Sequence, residues 1–160
     1  MVRAYSLAFV TILVGALVAG LAGSAGSAES PVAPVNATDR IGIKGYDPVA
    51  YFTEGQPIEG SDHYTFQWKA ITYRFASAEN LERFKADPEK YLPQYGGYCA
   101  YAMSINRIAD ISPTDWTIFE GKLYLNNNFF SQRLWSLNKS SRIESADKNW
   151  VVFPKTTENR

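Results

Sequence analysis

One cysteine, Cys99, and one histidine, His63, are all that this 160-residue chain contains of either type. An intramolecular disulfide is therefore excluded, and so is a structural zinc site built from several cysteines and histidines of one chain. Neither sign of charge is in excess, because 16 Lys and Arg balance 16 Asp and Glu. A neutral chain has no cationic surplus to hold a nucleic-acid backbone, so no nucleic-acid partner is expected. Internal repeats are missing. So is a phosphate loop, since Gly96-Gly97 has neither the spacing nor the following Lys-Ser/Thr. No uncharged apolar run reaches the roughly 20 residues that a membrane-spanning helix needs.

The longest such run, residues 7–21 (LAFVTILVGALVAGL), follows Arg3 and precedes small residues at 22–28 (AGSAGSA). That order predicts a signal peptide over 1–28, cut after Ala28. Cleavage removes one cation, Arg3, and leaves 132 residues with a net charge of −1. No cysteine lies near the cut, so a lipoprotein is not expected. The mature protein is expected to begin at Glu29, to be exported to a bacterial periplasm or secreted, and to have no stable membrane insertion. Residues 29–39, with Pro31 and Pro34, read as a linker. A single domain over 40–153 and a tail over 154–160 complete the division.

What the chain does have is apolar and aromatic content, 46% and 14%. That is enough for one core rich in large rings. Two stretches alternate with period two. Tyr64, Phe66 and Trp68 are followed, after Lys69-Ala70, by Ile71, Tyr73 and Phe75, which predicts an antiparallel hairpin. Lys69-Ala70 is poor chemistry for a tight turn, so a longer connection is expected there. A second hairpin is predicted over 116–119 and 122–125 around Glu120-Gly121, a better turn. Ser77 is a candidate N-cap for a helix carrying Leu81 and Phe84, which Asp87-Pro88 ends. After Asn126-Asn127-Asn128, Phe130, Leu134 and Leu137 share one face of a final helical region, continued by Ile143, Ala146 and Trp150. The fold class is therefore α+β, a small antiparallel sheet from two hairpins with helices packed on one face. Expected core residues are Phe66, Trp68, Tyr73, Phe75, Leu81, Phe84, Ile118, Leu123, Leu125 and Trp150.

Several separated segments resemble the exported YHS-domain proteins: 45–52 (GYDPVAYF), 75–80 (FASAEN), 84–91 (FKADPEKY), 95–100 (YGGYCA), 121–126 (GKLYLN) and 146–150 (ADKNW). They cover roughly residues 40–151, in the family's order. The resemblance implies a YHS-like fold and a binding role, usually presumed to be for metal. YHS domains accompany metal-transporting ATPases and some aromatic-ring monooxygenases. It also implies what is missing. Three positions that hold cysteines in the metal-associated relatives are Ala50, Ala76 and Asn80 here. Alanine offers no ligand atom and an asparagine amide is a weak, hard one, so the inherited thiolate site is absent. No structural zinc is expected.

The remaining candidate metal ligands are Cys99, Met103 and His63, a soft set suited to copper. Cys99 and Met103 are four apart and would share a helical face. Against this stands a buried cysteine acting as a small apolar residue, with Met103 as core filler and His63 in an exposed loop. A third reading makes Cys99 a nucleophile or redox thiol, which requires His63 within hydrogen-bond reach and an oxyanion donor such as the Gly96-Gly97 backbone. The tyrosines leave two readings open. They fill the core with their hydroxyls at the surface, or Tyr95, Gly96, Gly97, Tyr98 and Tyr101 line a ligand or partner groove.

Overall fold

The computed structural model describes residues 34–153. The segment over 1–28 expected to be a signal peptide, the first part of the expected linker and the tail lie outside them.

Both hairpins form. Strands β1 (Ala37–Thr38), β2 (Ile41–Gly42), β3 (Ser61–Trp68) and β4 (Ile71–Phe75) make a four-stranded sheet in the order β1-β2-β4-β3. β3 and β4 are antiparallel, with Phe66 opposite Tyr73 and Trp68 opposite Ile71. β2 runs parallel to β4, so this sheet is mixed. Strands β5 (Ser112–Phe119) and β6 (Lys122–Asn126) form a separate two-stranded antiparallel sheet. The two hairpins do not merge: β2 pairs on the second edge of β4, and β5 and β6 pair only with each other. β1 belongs to the segment read as linker, and its pairing with β2 makes that segment part of the fold from Pro34 onward.

The first hairpin turn differs from expectation. Lys69 and Ala70 form a two-residue turn with both residues at positive φ, 47° and 65°. The aromatic register explains it: slipping the pairing by one residue would turn Tyr73 and Phe75 out of the core. The left-handed conformation, at about 1–2 kcal/mol per residue, is the lesser cost.

Among the described residues there are six α-helices, α1 (Ala50–Thr53), α2 (Ala78–Ala86), α3 (Pro88–Tyr91), α4 (Ala100–Ser104), α5 (Phe129–Ser136) and α6 (Lys139–Val152); α2 to α5 pack on the strands, and α6 packs chiefly on α4. Ser77 caps α2 as predicted, its Oγ accepting from the Asn80 amide at 3.1 Å. Asp87 ends α2 and caps α3. Two buried clusters result. The first gathers Tyr51, Ile71, Tyr73, Phe75, Phe84, Leu123 and Leu125, among others. The second holds Tyr95, Met103, Tyr124, Trp135 and Ala146. Of the expected core, Tyr73, Phe75, Phe84, Leu123 and Leu125 are buried, while Phe66, Trp68, Leu81, Ile118 and Trp150 are half-buried against it. The shared face of Phe130, Leu134 and Leu137 looks outward, because α5 docks through Trp135, whose ring lies 4.8 Å from that of Tyr124.

Candidate functional site

Asp47 is fully buried and gathers donors from three places. Its Oδ1 accepts from the amides of Val49 and Ala50 at 2.8 and 3.3 Å, at the start of α1. Its Oδ2 accepts from the Ala76 amide at 2.8 Å and from Asn80 Nδ2 at 2.7 Å. Ala50, Ala76 and Asn80 are the three positions that the YHS resemblance singles out. They converge on one carboxylate, whose acceptor oxygens are taken up by structural donors.

Cys99 is buried and caps α4 through its side chain. Its Sγ accepts from the amides of Ala102 at 3.5 Å and Asn127 at 3.3 Å, and lies 3.8 Å from Asn126 Oδ1. His63 is not among the partners of this sulfur; it is exposed on β3. Met103 is buried in the second cluster, whereas Cys99 belongs to the first. Among the described residues, no group of three or more His, Cys, Asp or Glu is placed to hold a metal ion.

The segment 95–101 is mostly inside the protein. Tyr95, Gly97 and Tyr98 are buried and Tyr101 is half-buried. Tyr95 donates from its hydroxyl to Asp147 at 3.0 Å. Burial first, and then this carboxylate, push its phenol well above the usual tyrosine range. The N-terminal segment crosses the glycine pair as a strap. The Asn36 amide donates to the Gly96 carbonyl at 2.8 Å and Asn36 Nδ2 to the Gly97 carbonyl at 3.2 Å. Beneath it lies a cavity of about 50 Å³ lined by Val35, Asn36, Ile43, Tyr73, Gly96 and Gly97 among others, room for a few waters at most.

The larger opening was not visible in the sequence. Tyr51 and Phe52 of α1, Gly55, and Trp116, Thr117 and Ile118 of β5 line an open cleft of about 500 Å³. Tyr51 anchors it. Its hydroxyl donates to the Pro113 carbonyl at 2.9 Å, and its ring meets Trp116 edge-on at 5.3 Å between centroids. Gly55 leaves one side of the cleft open, with nothing within 4 Å of where a Cβ would stand. The walls come from segments more than sixty residues apart, so no local pattern could have paired them. Tyr51 and Phe52 did stand in the 45–52 motif. No family model, curated protein or solved structure matches this chain.

Proposed function

We propose that the chain is an exported, YHS-like binding module whose ligand site is the cleft between α1 and β5. The observation that carries this reading is the cleft itself: three aromatic rings and Ile118 around about 500 Å³. The opening is wide and shallow, largely apolar, and large enough to seat an apolar group. Phe52 and Trp116 are half-exposed and can accept a flat or aliphatic group, while buried Tyr51 holds the wall in place. The ligand is an apolar or aromatic small molecule, or a side chain of that character on a peptide. Cys99 and His63 stand apart from this cleft, so the reading assigns no catalytic group.

Mass spectrometry under non-denaturing conditions, on protein purified from its export compartment, tests the reading. A retained small molecule is expected, and Trp116→Ala weakens its retention roughly tenfold or more. Retention that Trp116→Ala and Phe52→Ala leave unchanged overturns the assignment to this cleft.

A further inference from the structure

Helix α5 is turned inside out. Its inward side carries Ser131, Gln132, Trp135 and Ser136, while Phe129, Phe130, Leu134 and Leu137 face outward. Their exposures are 63%, 76%, 42% and 72%. Together they form an exposed apolar patch of the kind that marks an interaction site. The helix itself carries one charge, Arg133, and no carboxylate. From residue 121 to 143 the chain has Lys122, Arg133, Lys139 and Arg142 and no carboxylate. None of these four makes an ion pair among the described residues, although six ion pairs occur elsewhere. Arg133 stands on the exposed face itself, one helical turn from both Phe129 and Leu137.

We infer that this face of α5 docks on an anionic phospholipid surface. Phe129 and Phe130, whose rings pack edge-on 5.8 Å apart, enter the headgroup–acyl boundary with Leu134 and Leu137, while Arg133 meets lipid phosphates. An eight-residue helix lies in the interface and does not span it. A symmetric pairing of two copies is disfavoured, since it would bring Arg133 against its own counterpart with no carboxylate on α5 to offset the repulsion. The face shares no residue with the α1–β5 cleft, and the inference stands independently of the ligand there.

Flotation of the purified protein with phosphatidylglycerol–phosphatidylethanolamine vesicles, against phosphatidylcholine vesicles, tests it. The anionic vesicles should retain the protein, and retention should fall as salt rises. A Phe130→Trp variant reads insertion locally, whether or not residues 1–28 are still attached. Its added fluorescence should be quenched by brominated acyl chains in anionic vesicles. Phe129→Ser/Phe130→Ser and Arg133→Glu should each reduce vesicle retention of the mature chain at least tenfold, with melting midpoints unchanged because these side chains are exposed. If the fluorescence added by Phe130→Trp stays unquenched, the inference is overturned. So it is by a dimer in sedimentation that the double serine variant dissociates while vesicles have no effect, which would assign the face to a second copy.

Discussion

Asp47 and Asn80, 33 residues apart in sequence, share a buried hydrogen bond of 2.7 Å that ties the start of α1 to the first turn of α2. The same carboxylate holds the Ala76 amide at the end of the first hairpin. One carboxyl side chain therefore fixes three elements at a single point, and the donors around it saturate its oxygens.

Removing that acceptor strands at least three buried donors. Asp47→Ala should destabilise the protein by roughly 3–5 kcal/mol in denaturant unfolding, and Asn80→Ala by roughly 1–3 kcal/mol. The two losses should not add, because each mutation removes the same bond. Strict additivity in the double mutant would show that the contact carries no coupling energy.

How much of this could be read in advance depends on sequence distance. Both hairpins, the Ser77 cap and the stop at Asp87-Pro88 rest on patterns a few residues long, and they appear where those patterns lie. The mixed four-stranded sheet does not, because it depends on Ile41 of β2 pairing with Thr72 of β4, far along the chain. Local turn chemistry misjudged Lys69-Ala70, where the register of Phe66, Trp68 and Tyr73 overrode it. The sites divide similarly. Cys99 could be picked out as a lone thiol, but its partners Asn126 and Asn127 come from the end of β6 and just beyond it. Phe130, Leu134 and Leu137 could be placed on one face; that the face looks outward follows from Trp135 docking on Tyr124.

The Cys99 sulfur accepts two backbone N–H groups in the interior, a role that alanine cannot fill. Cys99→Ala should cost roughly 1–3 kcal/mol, and Cys99→Ser less, since a hydroxyl restores the acceptor. In thermal unfolding, a strong chelator should leave the native midpoint unchanged. A large drop with chelator in the native protein, absent in Cys99→Ser, would identify a structural metal at this thiol. Thiol-reactive probes should label Cys99 on the timescale of unfolding, not of mixing.

The strap is sensitive at both ends. At Gly96, φ is +59°, and a Cβ there would sit 2.2 Å from the Pro34 carbonyl oxygen. Gly96→Ala should therefore release the strap and speed hydrogen exchange at the Asn36 amide, with little change in the first core cluster. Asp110 anchors the strap from the other side, accepting from Asn36 Nδ2 at 2.9 Å and Lys44 Nζ at 2.6 Å. Burial opposes its ionisation, but these bonds and the Ile111 amide outweigh it and hold the carboxyl below the usual value of 3.8. A lowered folded value means that the contribution is present above 3.8 and lost as pH falls through the folded value. Protection of the Asn36 amide, measured against its intrinsic exchange rate at each pH, should fall over that acid window in the native chain. Asp110→Asn should remove the pH dependence; its persistence in that variant would assign the effect to another group.

At high pH the tyrosines should set the limit of stability. Burial pushes the Tyr124 phenol up to about 12, and the Tyr51, Tyr73 and Tyr95 phenols higher still. Their ordinary value is 10.0, which applies once the chain unfolds. Each group is thus raised in the folded state, so its contribution is complete below about pH 10 and is lost as pH rises from there through the folded value. Each such tyrosine can lower stability by about 1.4 kcal/mol per pH unit across its window. Four together should produce a cooperative alkaline transition. Phenolate absorbance and the loss of near-ultraviolet dichroism should then coincide. Tyr124→Phe should move the transition to higher pH, because phenylalanine has no proton to release. Tyr95→Phe should move it less, since that change also removes the bond to Asp147. Full titration of the phenols near their ordinary value of 10.0, with the folded spectrum intact, would mean that these rings are not held as the structure places them.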